Sequence, residues 1–285
     1  MYRRILATLA ALAALTLLLA ACEEEPDEAD DVDEADDVDE PDDVDEAELD
    51  LIEEGQLTVG SDLAFAPFEF IEDDEAAGFD IDLMDAIAEE LGVDTEYVDA
   101  DFDGILTQLA AGEFDVVISA LTITEERQET VDFSDPYFEA TQALVTLEGS
   151  DITAEEDIDG VTVGAQAGTT GLDYAEEAYG EDNEIVEFPG YPEAFADLEG
   201  EGVDVVVADL PAANEEVGDS ETLVVADEVD TGEEYGIAVD PTKPELLDAV
   251  NAALDEVIAE GTYAEIYQEW FPELDVPEAF AGDDA

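Results

Sequence analysis

The sequence predicts an α/β protein built as two similar lobes, and three observations predict it. From about Leu51 onward, short β-rich segments alternate with segments of helical period, the pattern of mostly parallel sheets flanked by helices. Two stretches echo one another, LTVGSDLA with VTVGAQAG and FDVVISAL with VDVVVADL. With 285 residues, 46% of them apolar, the chain is long enough to bury a sizeable core.

The elements follow in chain order. Arg3 and Arg4 precede an apolar run at 5–21 that closes in Leu19-Ala20-Ala21-Cys22. A charged start, an apolar middle and small residues before a cleavage point describe a secretory signal over residues 1–21. The closing tetrad resembles a bacterial lipobox, which implies cleavage before Cys22 and acylation of its sulfur. An uncleaved membrane anchor is the alternative. Either way the remainder is expected on the outer face of the cytoplasmic membrane. Cys22 is the only cysteine, so no intramolecular disulfide can form. Residues 22–50 are almost wholly Asp and Glu, with the near-repeat DDVDEA, DDVDEP, DDVDEA, and self-repulsion should keep them extended as a tether. A calcium-sequestering tail lacks the loop glycine and ligand spacing of an EF-hand.

Strands are expected at 57–61, 115–119, 161–165 and 203–208. Ile81, Met84, Ile87, Ala88 and Leu91, closed by Gly92, mark the clearest helix, and Ile105, Leu106 and Leu109, closed by Gly112, repeat the device.

The chain carries 86 acidic and 4 basic side chains, a formal net charge of −82. Such an imbalance disfavours folding unless the acids sit on the surface and concentrated electrolyte screens them, since the Debye length falls to about 3 Å near 1 M salt. The acidity therefore reads as adaptation to a very salty medium. An acidic decoy for basic partners would concentrate its charge in one tail, whereas here it is spread along the chain. Nucleic-acid binding is excluded for want of a basic patch. There is no histidine, and the one cysteine belongs to the anchor, which removes the usual nucleophile–base pairs and metal clusters; no cofactor is expected.

Ligands of open α/β sheets bind beyond the carboxyl ends of the strands. Asp62 and Phe65 follow the first strand; Ser119, Ala120, Thr122 and Arg127 the second; Gln166, Thr169 and Thr170 the third; Asp209 the fourth. These residues suit a zwitterion. After signal cleavage only Arg127 and Lys243 remain as cations, and a guanidinium can grip a carboxylate bidentately, which lysine cannot. Arg127 is thus the expected partner of a ligand carboxylate, the alternative being a surface pair with Glu125 or Glu126. Lys243 is read as solvated. The turn GAQAGTTG feeds a helix near Thr170, whose amides and dipole favour an anion, so Thr169 and Thr170 could share the carboxylate. Asp209 would accept an ammonium, while Phe65 and Phe102 either flank the ligand side chain or belong to the core.

The segments SDLAFAPFEF, GFDIDLMDAIAEELG, DFDGILTQLAAGEFDVVISALTITEERQETVDFSDPY, GAQAGTTG and GTYAEIYQEWF together resemble the family 3 periplasmic solute-binding proteins of polar amino-acid ABC importers, over about 55–271. The resemblance implies a two-lobed fold of type II topology with two hinge crossings. It divides the chain into lobe 1 at 55–137 plus 235–271, lobe 2 at 138–234 and an acidic tail at 272–285. It further implies that Arg127 and the amides of Thr122 and Thr170 hold the α-carboxylate. Asp209, the Ser119 or Ala120 carbonyl and the Thr122 hydroxyl would hold the ammonium. Asp62, Phe65, Phe102 and Gln166 would face the side chain. Glutamine-binding members place a lysine where Gln166 stands and a histidine where Ala208 stands, whereas an acid at Asp62 with aromatic faces suits basic amino acids. The expected protein is a monomeric, non-enzymatic receptor that hands its amino acid to a membrane permease. Ectoine-type compatible solutes, or murein-cleaving and dehydratase enzymes on the same fold, are the alternatives.

Overall fold

The computed structural model describes residues 49–282. The secretory signal, the lipidation expected at Cys22 and nearly all of the acidic tether lie outside the described residues.

Two five-stranded sheets carry the body. In the first, β5 (Asp94–Asp99), β1 (Gln56–Ser61), β6 (Val116–Val117), β13 (Ala238–Val239) and β7 (Asp132–Phe133) lie in that order. In the second the order is β10 (Glu184–Phe188), β9 (Thr162–Gln166), β11 (Val205–Asp209), β8 (Phe138–Leu147) and β12 (Leu223–Tyr235). Each sheet begins with three parallel strands and ends with two joined by antiparallel pairing. The echo in the sequence is thus a repeated strand plan, with β1 matching β9 and β6 matching β11.

Leu57 through Ser61 of β1 are all buried, as a parallel strand covered on both faces requires. Against this sheet pack α1 (Phe79–Leu91) and α2 (Phe102–Ala110), and α6 (Pro244–Ala259) and α7 (Thr262–Trp270) lie against α1. The apolar spacing of α1 buries Ile81, Leu83, Met84, Ile87, Ala88 and Leu91, and Gly92 ends it in the left-handed region, its N–H returning to the carbonyls of Ala88 and Glu89. The second sheet is flanked by α3 (Thr170–Tyr179), α4 (Tyr191–Glu199) and α5 (Leu210–Asp219).

A small antiparallel sheet, β2 (Ala64–Phe65), β3 (Glu69–Glu72) and β4 (Glu75–Ala77), packs beside α1 and reaches α4 of the second lobe. Between β2 and β3, Phe68 is fully buried edge-on to Phe79, Phe138 and Tyr235, with centroids 6.0, 5.0 and 5.4 Å away. This aromatic knot sits where the chain passes between the sheets, after Phe133 and after Tyr235. The two passages are hydrogen-bonded to each other: Tyr137 N–H donates to the Tyr235 carbonyl at 2.9 Å and Ser134 N–H to the Ile237 carbonyl at 2.8 Å.

Three expectations change. The strand expected at 115–119 keeps only Val116–Val117 in its ladder, because Asp115 is drawn into a buried polar knot and Ala120 turns the chain at φ 41°. Lys243 is not solvated: its ammonium pairs with the fully buried Asp115 at 2.9 Å, where Ile52 N–H and Thr58 N–H also donate. The stretch after Phe271, read as an acidic tail, buries Phe280 against Tyr263 at 5.1 Å.

Candidate functional site

The strands deliver the site through their carboxyl ends. Asp62 follows β1, Phe65 lies in β2, and Ser119, Ala120 and Thr122 follow β6. Arg127 opens a short 3-10 turn, Gln166 ends β9, Thr169 caps α3 just before Thr170, and Asp209 ends β11. With Phe102 of α2, all eleven line one cavity between the two sheets, and Glu69 and Tyr191 complete the wall. The free space among them is about 20 Å³, room for a single water.

Arg127 is the cation of this wall. Its Nη1 donates to the Thr122 carbonyl at 2.6 Å and Nη2 to the Gly168 carbonyl at 3.0 Å, so one guanidinium clasps both lobes. Gly168 stands at φ 76°, and a Cβ there would come within 2.9 Å of the Asp103 backbone, so glycine alone allows this approach. No carboxylate of the described residues lies within 4.0 Å of the guanidinium; the ion pair that does form is Lys243 with Asp115. The surface pair with Glu125 or Glu126 is therefore not made. Burial lowers the Arg127 pKa, while Asp209, Asp173 and Glu233 pull the other way. Two N–H groups are spent on carbonyls, and the remaining three of five are available to an anion.

Beside the guanidinium, α3 begins. Thr169 accepts from Leu172 N–H at 3.1 Å and donates to the Gln166 carbonyl at 2.8 Å, so its hydroxyl is used as a helix cap and not for a ligand. The amides of Thr170 and Gly171 precede the first intrahelical bond, from Asp173 N–H to the Thr169 carbonyl, and supply donors for an anion.

The acidic pole is Asp209, 6% exposed. Gln142 Nε2 donates to its Oδ1 and the Tyr235 hydroxyl to its Oδ2, both at 2.5 Å. Burial pushes its carboxyl up to about 7 and Glu233 adds to the shift, against the two hydrogen bonds and Arg127.

The far end of the cavity is acidic as well. Gln166 reaches across to donate to Asp62 Oδ2 at 2.8 Å. Burial raises Asp62 to about 6, opposed by that hydrogen bond and supported by Asp99, Asp101 and Glu193. Ser119 links the Asp62 backbone to Glu69, accepting from Asp62 N–H at 3.0 Å and donating to Glu69 Oε1 at 2.7 Å. Glu69 is fully buried beside Asp80; burial first, then the Asp80 charge, hold it well above the usual carboxylate range.

The aromatic residues are more committed than the sequence suggests. Phe65 is stacked between Phe68 at 5.7 Å and Tyr191 at 5.2 Å, and the Arg127 guanidinium lies over Phe102 at 5.4 Å. One face of Phe102 thus serves the protein's own cation. Sequence reasoning missed Glu69 and Tyr191 on the wall, and Gln142, Glu233 and Tyr235 behind it. The one available signal was Gln142, a lone amide in the apolar strand FEATQALVTL.

A profile of the bacterial extracellular solute-binding proteins, family 3, matches residues 57–273. The chain belongs to this family. Among relatives of this family 3 protein, the ABC transporter arginine-binding protein 1 of Escherichia coli (strain K12) is 33% identical over 76% of this chain and 91% of its own. A probable histidine-binding protein of Neisseria gonorrhoeae is 34% identical over 75% and 82%. Among solved structures, an ancestral arginine-binding protein bound to glutamine superposes with a TM-score of 0.74 at 43% identity, covering 77% of this chain and 99% of the other. The arginine-, lysine-, histidine-binding protein ArtJ from Geobacillus stearothermophilus gives 0.74 at 38%, covering 78% and 97%. Family 3 proteins are two-lobed, extracellular amino-acid binders, and this chain shares their architecture.

Proposed function

We propose that this chain is the amino-acid receptor of an ABC importer, that it catalyses nothing itself, and that it favours basic side chains. The observation that carries the reading is the cleft's dipolar layout. Arg127, a half-buried cation without a carboxylate partner, lies beside the free amides of α3, and Asp209 is a buried carboxylate close enough to act on its charge. A zwitterion supplies the missing partner for each. Asp62 with Gln166 at the opposite end offers an acceptor for a guanidinium or ammonium side chain, and relatives that bear arginine in their names support that choice.

The mechanism follows from the two crossings. A cavity with room for one water admits an amino acid only when the lobes, 55–137 with 235–271 and 138–234, swing apart. Bound ligand then bridges Arg127 and Asp209, its binding energy favours the closed form, and a membrane permease reads that form. In this account the receptor is a monomer held to the outer face of the cytoplasmic membrane by acylated Cys22 through the acidic tether, and its surface charge suits multimolar salt.

Calorimetric titration of the purified protein in multimolar KCl, with the twenty amino acids and ectoine, tests the reading. Tight binding of L-arginine, L-lysine or L-histidine is expected. Binding of ectoine alone, or of nothing by folded protein, refutes it.

A further inference from the structure

Behind the cleft wall lies a carboxylate that neither the sequence motifs nor the lining residues mark. Glu233, on β12, is 9% exposed and accepts four hydrogen bonds. Its Oε2 takes the hydroxyls of Thr122 and Thr170, each at 2.8 Å; its Oε1 takes Thr231 Oγ1 at 2.8 Å and Gln142 Nε2 at 3.1 Å. Thr122 and Thr170 come from different lobes, and both line the cavity.

A hydroxyl has one proton. With that proton given to Glu233, each threonine oxygen can only accept from the cleft. The 3.4 Å approach of the two oxygens to each other leaves both with lone pairs and no proton to share. Gln142 is constrained likewise: its NH₂ serves Glu233 Oε1 and Asp209 Oδ1 together, which fixes its amide orientation. We propose that Glu233 is a positioning residue that sets the polarity of the ammonium pole, holding Thr122 and Thr170 as acceptors beside Asp209. It does so without touching the ligand. The assignment rests on the amino-acid reading of the cleft.

An amide in place of this carboxylate cannot satisfy the arrangement, because all four partners are donors. A glutamine would turn its NH₂ either toward the threonines, reversing them into donors aimed at the cleft, or toward Gln142, setting donor against donor and freeing Asp209 from its partner. The first orientation opposes an ammonium directly, and the second takes from Asp209 the amide that holds its carboxylate in place.

The test is a mutant cycle read by calorimetric titration with L-arginine and L-glutamine in multimolar KCl, on wild type, Glu233→Gln, Thr122→Val with Thr170→Val, and all three substitutions combined. Glu233→Gln is expected to weaken binding about 30-fold in the native background, but less than about threefold where no hydroxyls remain to be oriented. Equal losses in both backgrounds would overturn the assignment, since Glu233 would then act on the fold and not through the threonines. So would a Glu233→Gln protein that binds like wild type. A wild type that binds neither probe removes the amino-acid reading itself, and the assignment with it. Near-ultraviolet circular dichroism checks that Glu233→Gln folds. If it does not, Thr122→Ser and Thr122→Val decide: serine keeps a hydroxyl on Glu233 and should bind within about threefold of wild type, valine at least about tenfold more weakly, and equal affinities would overturn the assignment.

Discussion

Replacing Arg127 with lysine separates charge from shape at the centre of the cleft. The guanidinium has five N–H donors and spends two on the carbonyls of Thr122 and Gly168, at 2.6 and 3.0 Å. Three remain to meet a carboxylate. An ammonium has three donors on one atom and cannot keep both carbonyls while forking to two carboxylate oxygens. At least one charge-assisted hydrogen bond is lost, about 1.5–3 kcal/mol, or roughly 10- to 150-fold in affinity. Arg127→Ala also removes the charge and should cost about 2–5 kcal/mol. Thermal stability should fall in Arg127→Ala, which loses the hydrogen bonds to the Thr122 and Gly168 carbonyls, and less in Arg127→Lys, which can keep one of them. Titration calorimetry from 1 to 4 M KCl provides the assay. The loss should persist across that range, since the screening length is already about 3 Å at 1 M. An Arg127→Lys protein binding within about threefold of wild type would refute the reasoning.

Four further outcomes are expected. Burial raises Asp209 to about 7 and Asp62 to about 6, so below those values the folded protein holds protons that an unfolded chain has released down to the ordinary aspartate value of 3.8. Stability of the ligand-free protein should therefore rise as pH falls through that window, while amino-acid affinity drops below pH 7 by up to about tenfold per unit; affinity flat from pH 8 to 5 would count against it. Gly168→Ala puts a Cβ 2.9 Å from the Asp103 backbone at φ 76° and should cost about 1–3 kcal/mol with a parallel loss of affinity, checked by melting and titration. Lys243→Met strands the buried Asp115 and should destabilise by about 3 kcal/mol in denaturant titrations without changing ligand preference. Moving from multimolar to dilute KCl should unfold the protein through self-repulsion among its 86 acids, seen as loss of far-ultraviolet circular dichroism.

Much of the fold was legible because it rests on local pattern. The 3.6-residue period at 81–91 with Gly92, and the apolar run at 57–61, each specify an element whose burial the structure repeats. The cleft was legible because strand ends are marked in sequence, and the ten residues chosen on that basis, together with Phe102, line one cavity. What escaped were acids whose role depends on distant partners. Glu233 and Glu234 look alike as letters, yet strand parity buries the first and exposes the second. Lys243 finds Asp115 across 128 positions, a distance no spacing rule spans. In a chain with 86 carboxylates, the few that are buried carry no local mark. The aromatic residues misled for the opposite reason: Phe65 and Phe102 do border the cleft, but Tyr191 and Arg127 already occupy faces that the sequence left open.

The most direct test of the account is a crystal structure grown in high salt with whichever amino acid binds most tightly. The α-carboxylate should lie on Arg127 and the first amides of α3, the ammonium on Asp209 with the oxygens of Thr122 and Thr170, and the side chain should point to Asp62. A ligand bound outside the cleft, or one whose carboxylate makes no contact with Arg127, would contradict it.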